Sequence, residues 1–167
     1  MSKILISGYY GFANAGDEAM LTAIIESLRQ VEKNVELTVL SGNPEDTAAK
    51  HQVCSVYRFN PLGIIRAMKD SELIISGGGS LLQDVTSKRS LLYYLSIIGL
   101  GKFFGKKVML FAQGIGPIRA KWARKLTSLV CNEADLITVR DSESAAELIE
   151  MGVKPEKITV TAGSVLS

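Results

Sequence analysis

Histidine and cysteine are scarce in this 167-residue chain: His51 is the only histidine, and Cys54 and Cys131 are the only cysteines. The cysteines lie far apart and share no CxxC or Cys/His spacing, so neither a disulfide framework nor a structural zinc site is expected. A reducing, cytoplasmic setting fits that usage. His51 sits in a polar connection before a strand and reads as a surface residue, which leaves no histidine general base. Charge of one sign is also missing. Nineteen Lys and Arg face seventeen Asp and Glu, a net charge of +2, so no basic field for nucleic acid and no acidic tail is present. The sequence has no apolar run of the roughly 20 residues that a bilayer crossing needs. Its first residues, MSKILISGYYG, lack the zones of a signal peptide and read as a strand.

What remains is the composition of one ordinary folded domain, 47% hydrophobic and 22% charged. Short apolar, β-branched runs at Lys3–Ser7, Val35–Leu40, Val53–Tyr57, Leu73–Ser76, Lys107–Ala112, Leu136–Val139 and Ile158–Thr161 read as strands. Between them, 3.6-type spacing predicts helices over Asp17–Val31, Pro44–Lys50, Pro61–Lys69, about Lys88–Phe104, about Ile118–Asn132 and Ser142–Met151. The fifth carries Trp122, Leu126, Leu129 and Val130 on its apolar side. Strands that are continuously apolar and alternate with helices predict a doubly wound, mostly parallel, Rossmann-like α/β domain. Ligands of such folds sit beyond the carboxyl ends of the strands. The candidate loops are therefore Gly8–Gly16, Gly77–Gln83, Gln113–Arg119 and Arg140–Ser142.

Gly11 and Gly16 stand five positions apart before a helix, like a P-loop, but the following residues are Asp17 and Glu18. A P-loop needs Lys and Ser/Thr there, and two carboxylates would repel a triphosphate. Asp17 can cap the helix, or Asn14 and Asp17 can hydrogen-bond substrate hydroxyls; the two roles are compatible. Gly77, Gly78 and Gly79 follow a buried strand, which allows backbone to approach a ligand closely or simply makes a tight turn. No dinucleotide fingerprint is present, because GYYGFANAG has the wrong spacing and no acid ends the second strand. Gln113 ends the next strand, where it can hold a ligand or tie down a loop, and Pro117 suits the first turn of the following helix. Arg140 offers a planar fork to carboxylate or phosphate, or pairs on the surface with Asp141 or Glu143. The Leu91–Leu100 helix, flanked by Lys88, Arg89, Lys102, Lys106 and Lys107, leaves two readings open: a core helix, or an interfacial helix on anionic lipid.

Four segments in this order, GYYGFANAGDEAML, ELIISGGGSLLQD, LFAQGIGPI and ITVRDSESAAELIEMGV, resemble the polysaccharide pyruvyl transferase family, in particular its bacterial cell-wall (CsaB) branch. The resemblance implies one Rossmann-like half of a GT-B-like enzyme, with a second, C-terminal domain outside this chain. It implies transfer of the enolpyruvyl unit of phosphoenolpyruvate to a sugar, N-acetylmannosamine of a lipid-linked wall polymer, as a pyruvate ketal. No cofactor or metal is implied, and phosphoenolpyruvate is the donor. On this sequence it assigns Arg140 to the donor's carboxylate or phosphate, Asn14 and Asp17 to the acceptor, and Gly77–Gly79 to the cleft lining. Asp17 becomes the candidate base, and this chain alone is expected to be inactive. Two alternatives stand beside it: a GT-B nucleotide-sugar glycosyltransferase domain, and a non-catalytic membrane-docking or interaction module.

Overall fold

The computed structural model describes residues 2–77, 79–84 and 87–161. In chain order the elements are β1 (Lys3–Ser7), α1 (Ala15–Val31), β2 (Glu36–Ser41), α2 (Pro44–His51), β3 (Cys54–Tyr57), α3 (Pro61–Asp70), β4 (Leu73–Ser76) and β5 (Gly79–Leu82). They continue with α4 (Lys88–Phe103), β6 (Lys107–Ile115), α5 (Lys121–Glu133), β7 (Leu136–Val139), α6 (Ser142–Met151) and β8 (Ile158–Val160). All strand pairs are parallel, in the order β3-β2-β1-β4-β6-β7-β8, with β5 also paired to β6. The chain winds outward from β1 through β2 to β3, then returns to lay β4 on the other side of β1. That reversal is a topological switch point, where such sheets open a crevice at the carboxyl ends of their strands.

The sheet's apolar strands are buried on both faces. Leu5, Leu40, Ile74, Val108 and Leu110 pack under α3 to α6, whereas Ile4, Ile6, Val39, Ile75 and Phe111 pack under α1 through its Leu21, Ile24 and Ile25. Fully burying one such side chain stabilises the fold by about 1.5–3 kcal/mol, which is why these runs read so clearly as strands.

Three departures from the sequence expectations matter. First, Gly79–Leu82 is a strand rather than loop: β4 pairs Ser76 with Leu110 and β5 resumes with Gly79 opposite Gln113. Second, β6 extends to Ile115, past a bulge at Ala112, which takes φ +49° while the register against β7 shifts between Leu110 and Gln113. Oγ1 of Thr138 accepts the Ala112 amide at 2.7 Å, compensating for the ladder bond that the bulge displaces. Third, α5 starts at Lys121, so Pro117 lies in the connection before it and not in its first turn.

Of the two helices whose faces the sequence raised, one matches its core reading and the other departs from expectation. α4 turns Leu91, Tyr94, Leu95, Ile97 and Ile98 into the core, as the core-helix reading anticipates. Its basic flank is partly engaged: Lys102 pairs with Asp135 at 2.8 Å, and Lys106 Nζ donates to the Lys69 carbonyl at 2.9 Å. α5 is inverted relative to its apolar stripe. It buries the small side chains Ala123, Thr127, Ser128 and Cys131, while Trp122 and Leu129 remain 48% and 58% exposed.

Candidate active site

The loop after β1 begins the site. Tyr10 folds its ring back into the core beneath Gly8 and Gly77, and neither position has room for a Cβ because the phenol occupies the space. Tyr9 and Phe12 stay on the rim, stacked with centroids 4.3 Å apart. Asn14 is the N-cap of α1: its Oδ1 accepts the amides of Gly16 at 3.1 Å and Asp17 at 3.2 Å. The cap is therefore Asn14 and not Asp17, which stands in the first turn with its carboxylate turned over Gly79. Burial, and then the neighbouring charge of Glu18, raises the Asp17 pKa above its ordinary value. A raised pKa makes the ionised carboxylate the stronger proton acceptor.

Glu18 braces the loop from behind. It accepts the Gly11 amide at 3.1 Å, and its other oxygen lies 3.4 Å from Nε2 of His51. His51 is thus not a surface residue; its side chain is only 10% exposed, at the end of α2 against α1.

Gln113 is wholly buried, and its amide ties down a loop, the second of the two roles its position allows. The bulge at Ala112 turns its amide inward, where Nε2 donates to the carbonyls of Ser76 at 3.0 Å and Gly77 at 2.5 Å. It fixes the turn that follows β4 and acts as a positioning residue. Gly77 is buried in that turn and Gly79 takes φ +98°, a conformation that favours glycine. Gly78, expected in the same lining, lies outside the described residues.

Arg140 ends β7 and is half exposed, with its amide bound to the Gln113 carbonyl at 2.9 Å and its Nε 3.4 Å from Oδ2 of Asp141. The surface pair anticipated from spacing is therefore present. Its guanidinium lies over Gly114, where any Cβ would stand 2.5 Å from Cζ. Asp141 also caps α6, accepting the Ser144 amide at 2.8 Å; hydrogen bonds from Ser144, then Arg140, hold its pKa below the usual carboxylate range. A concavity of about 320 Å³ opens beside this arginine, lined by Gly116, Pro117, Asp141, Glu143 and Ser144. Asp17 over Gly79 and Arg140 over Gly114 occupy adjoining strand ends, since Gly79 pairs with Gln113. An acid and a cation thus each lie over a glycine of the neighbouring strands β5 and β6. No group of three or more His, Cys, Asp or Glu suited to a metal occurs among the described residues.

Arg58, just after β3, is the feature that the sequence reading passes over. It is 92% buried, with no carboxylate in salt-bridge range among the described residues. Its guanidinium lies 4.7 Å from the ring centroids of Phe59 and Tyr93, 5.2 Å from Phe12 and 5.8 Å from Tyr94. Burial raises the Tyr94 phenol to about 12 against the opposing effect of Arg58. Ring faces replace the missing counter-charge and lock Phe12 to the rim. The run Tyr57-Arg58-Phe59 with Tyr93-Tyr94 was the available signal.

Solved structures define the class of this fold. The chain is similar to Anabaena HepE in complex with UDP and glucose, with a TM-score of 0.66, 13% identity, and 97% of this chain covering 44% of that one. It is also similar to the lipopolysaccharide outer core galactosyltransferase WaaB, at TM-score 0.58 and 17% identity, covering 96% and 45%. A third is the UDP-GlcNAc 2-epimerase of Neisseria meningitidis bound to UDP-GlcNAc, at TM-score 0.55 and 14% identity, covering 96% and 46%. The fold is the Rossmann-like one of GT-B glycosyltransferases and epimerases, and the chain spans less than half the length of these structures. A search of curated proteins returned no match. The family model for polysaccharide pyruvyl transferase matches residues 14–166, and the chain belongs to that family.

Proposed function

We propose that this chain supplies half of the cleft of an enzyme that forms a pyruvate ketal on a sugar, with phosphoenolpyruvate as donor. Membership in the pyruvyl transferase family makes it a transferase domain. The observation that supports the finer reading is an acid and a cation over glycines of neighbouring strands, Asp17 over Gly79 in β5 and Arg140 over Gly114 in β6. The acceptor is a lipid-linked amino sugar of a cell-wall polymer, its hydroxyls at Asp17 and Asn14 and its apolar ring face on the Tyr9–Phe12 stack. Protonation of the donor's methylene makes C2 an oxocarbenium-like centre. Two sugar hydroxyls add to C2 and lose a proton each. One of these protons makes up for the proton given to the methylene, and the other leaves on the phosphate as the C2–O bond breaks. Asp17 takes one hydroxyl proton, and Arg140 offsets the charge of the carboxylate or departing phosphate.

The test incubates a full-length protein carrying this chain with phosphoenolpyruvate and an N-acetylmannosamine-terminated acceptor, reading phosphate release and acceptor mass. The expected result is acceptor-dependent phosphate with a pyruvyl mass gain, lost in Arg140→Ala. The 167-residue chain alone is expected to show no transfer. The GT-B neighbours supply a second reading, a nucleotide-sugar transferase. Turnover of a nucleotide-sugar without any phosphoenolpyruvate-dependent product would establish it instead.

A further inference from the structure

α5 leaves two of its larger apolar side chains outside the core. Trp122 and Leu129, one stripe at i and i+7, are exposed, with Leu126 and Val130 half buried beside them. α4 presents Leu92 and Leu100 to the same side, and its Ser96 and Gly99 leave a groove of about 680 Å³ between the two helices. A Cβ at Gly99 would meet nothing within 4 Å, so the floor is open. Among the described residues, Arg89 is the only charged one lining this groove.

The charges carried by α4 and α5 are mostly of one sign. α4 and α5 carry Lys88, Arg89, Lys102, Lys121, Arg124 and Lys125 against the single acid Glu133, although the whole chain is nearly balanced. Arg124 is paired with Glu147 and Lys102 with Asp135, while Lys88, Arg89, Lys121 and Lys125 are exposed. Neither helix has an acid in its first turn; α4 instead begins with Lys88-Arg89 and α5 with Lys121. Cations at the positive end of a helix dipole weaken the helix, so this arrangement is locally unfavourable. α1, α2 and α6 all follow the opposite, favourable rule. Both amino ends follow strand carboxyl ends, on the side of the sheet that carries Asp17 and Arg140.

We propose that the outward face of α4 and α5 docks on an anionic phospholipid surface, with Trp122, Leu129, Leu92 and Leu100 entering the interface and the four exposed cations meeting phosphates. Apolar side chains ringed by clustered cations match such a surface in both hydrophobicity and charge. Trp122 has the residue type favoured at membrane interfaces. This surface differs from the one expected from the Leu91–Leu100 helix alone, since Leu91, Leu95 and Ile98 belong to the core. No helix among the described residues is long and apolar enough to cross a membrane, so the contact is peripheral.

Trp122 is the chain's only tryptophan and reports the event directly. Titrating this chain with phosphatidylglycerol vesicles is expected to shift its emission to the blue and to sediment the protein. Pure phosphatidylcholine vesicles leave it unchanged, and high salt reverses the effect. Charge reversal at Lys88, Arg89, Lys121 and Lys125 is expected to weaken binding by at least about tenfold. Leu129→Ser weakens it while retaining the probe, and far-UV circular dichroism verifies folding. Absence of a shift with either lipid overturns the proposal, as does equal, salt-independent binding to both. A blue shift that grows with protein concentration without vesicles, accompanied by a dimer mass, assigns the face to a second copy and overturns it too. Vesicle binding is read without turnover, so its failure leaves the transfer reading standing.

Discussion

Oδ1 of Asp17 hangs over Gly79 so closely that a Cβ on the glycine would stand 2.9 Å away. Two residues 62 positions apart in the sequence thus meet at the head of one strand. The relation joins the first turn of α1 to the start of β5, and it makes the absence of a side chain at residue 79 a condition for the position of the acid.

Gly79→Ala is therefore expected to act twice. Its φ of +98° strains any L side chain, at about 1–3 kcal/mol, and its methyl group displaces Asp17. Urea unfolding should show a loss in that range, and Asp17→Ser should recover part of it. A Gly79→Ala chain as stable as wild type would sink the close approach.

Asp17 also links stability to pH. Its folded-state pKa is raised, by burial first and Glu18 second. The native chain therefore holds this proton more tightly than the unfolded chain, and the carboxylate costs stability as pH rises through the window between the two values. Asp17→Asn is expected to raise Tm at neutral pH, with the gain vanishing below the ordinary Asp range near about 3.9. The same variant should lose turnover in a full-length enzyme. Melting curves across pH decide the first part, and a gain independent of pH would contradict it.

Tyr10 and Gln113 offer a paired test of buried polar groups. The Tyr10 hydroxyl is fully buried without a hydrogen-bond partner among the described residues, whereas the Gln113 amide binds two carbonyls. Tyr10→Phe is expected to stabilise the chain by about 1 kcal/mol, and Gln113→Leu to cost about 1–3 kcal/mol. Denaturant midpoints moving in the same direction for both variants would refute the assignment.

Arg58 holds its place through ring faces, and lysine cannot reproduce planar stacking on several rings. Arg58→Lys should lower stability by about 1–2 kcal/mol and loosen Phe12. The aromatic near-ultraviolet circular dichroism should fall together with Tm. An unchanged spectrum would show that the rings do not depend on the guanidinium.

Much of this was written into local sequence. Apolar β-branched runs marked seven of the eight strands among the described residues close to their observed positions, because burial on both sheet faces tolerates little else there, and 3.6-type spacing marked the six α-helices. The glycine motifs and Arg140 marked the strand ends for the same reason: a parallel sheet exposes its ligand edge there. Other features depended on partners distant in the chain. Asn14 and Asp17 are both competent caps, and only the approach of Gly79 shows which carboxylate is left for chemistry. Gln113 reads as a rim residue until the Ala112 bulge, set by pairing with β7, turns it inward. β5 does not stand out because Gly79 and Ser80 open it and only Leu81 and Leu82 are apolar, so it forms a strand only where the long β6 offers an edge to pair with. His51 and Arg58 look like surface polar residues until α1 and α4 close over them. Periodicity revealed which side of α5 is apolar, but not which side meets the sheet. That choice follows from the narrow space beside α4 and α6, which admits Ala123, Thr127 and Cys131 and turns Trp122 and Leu129 outward.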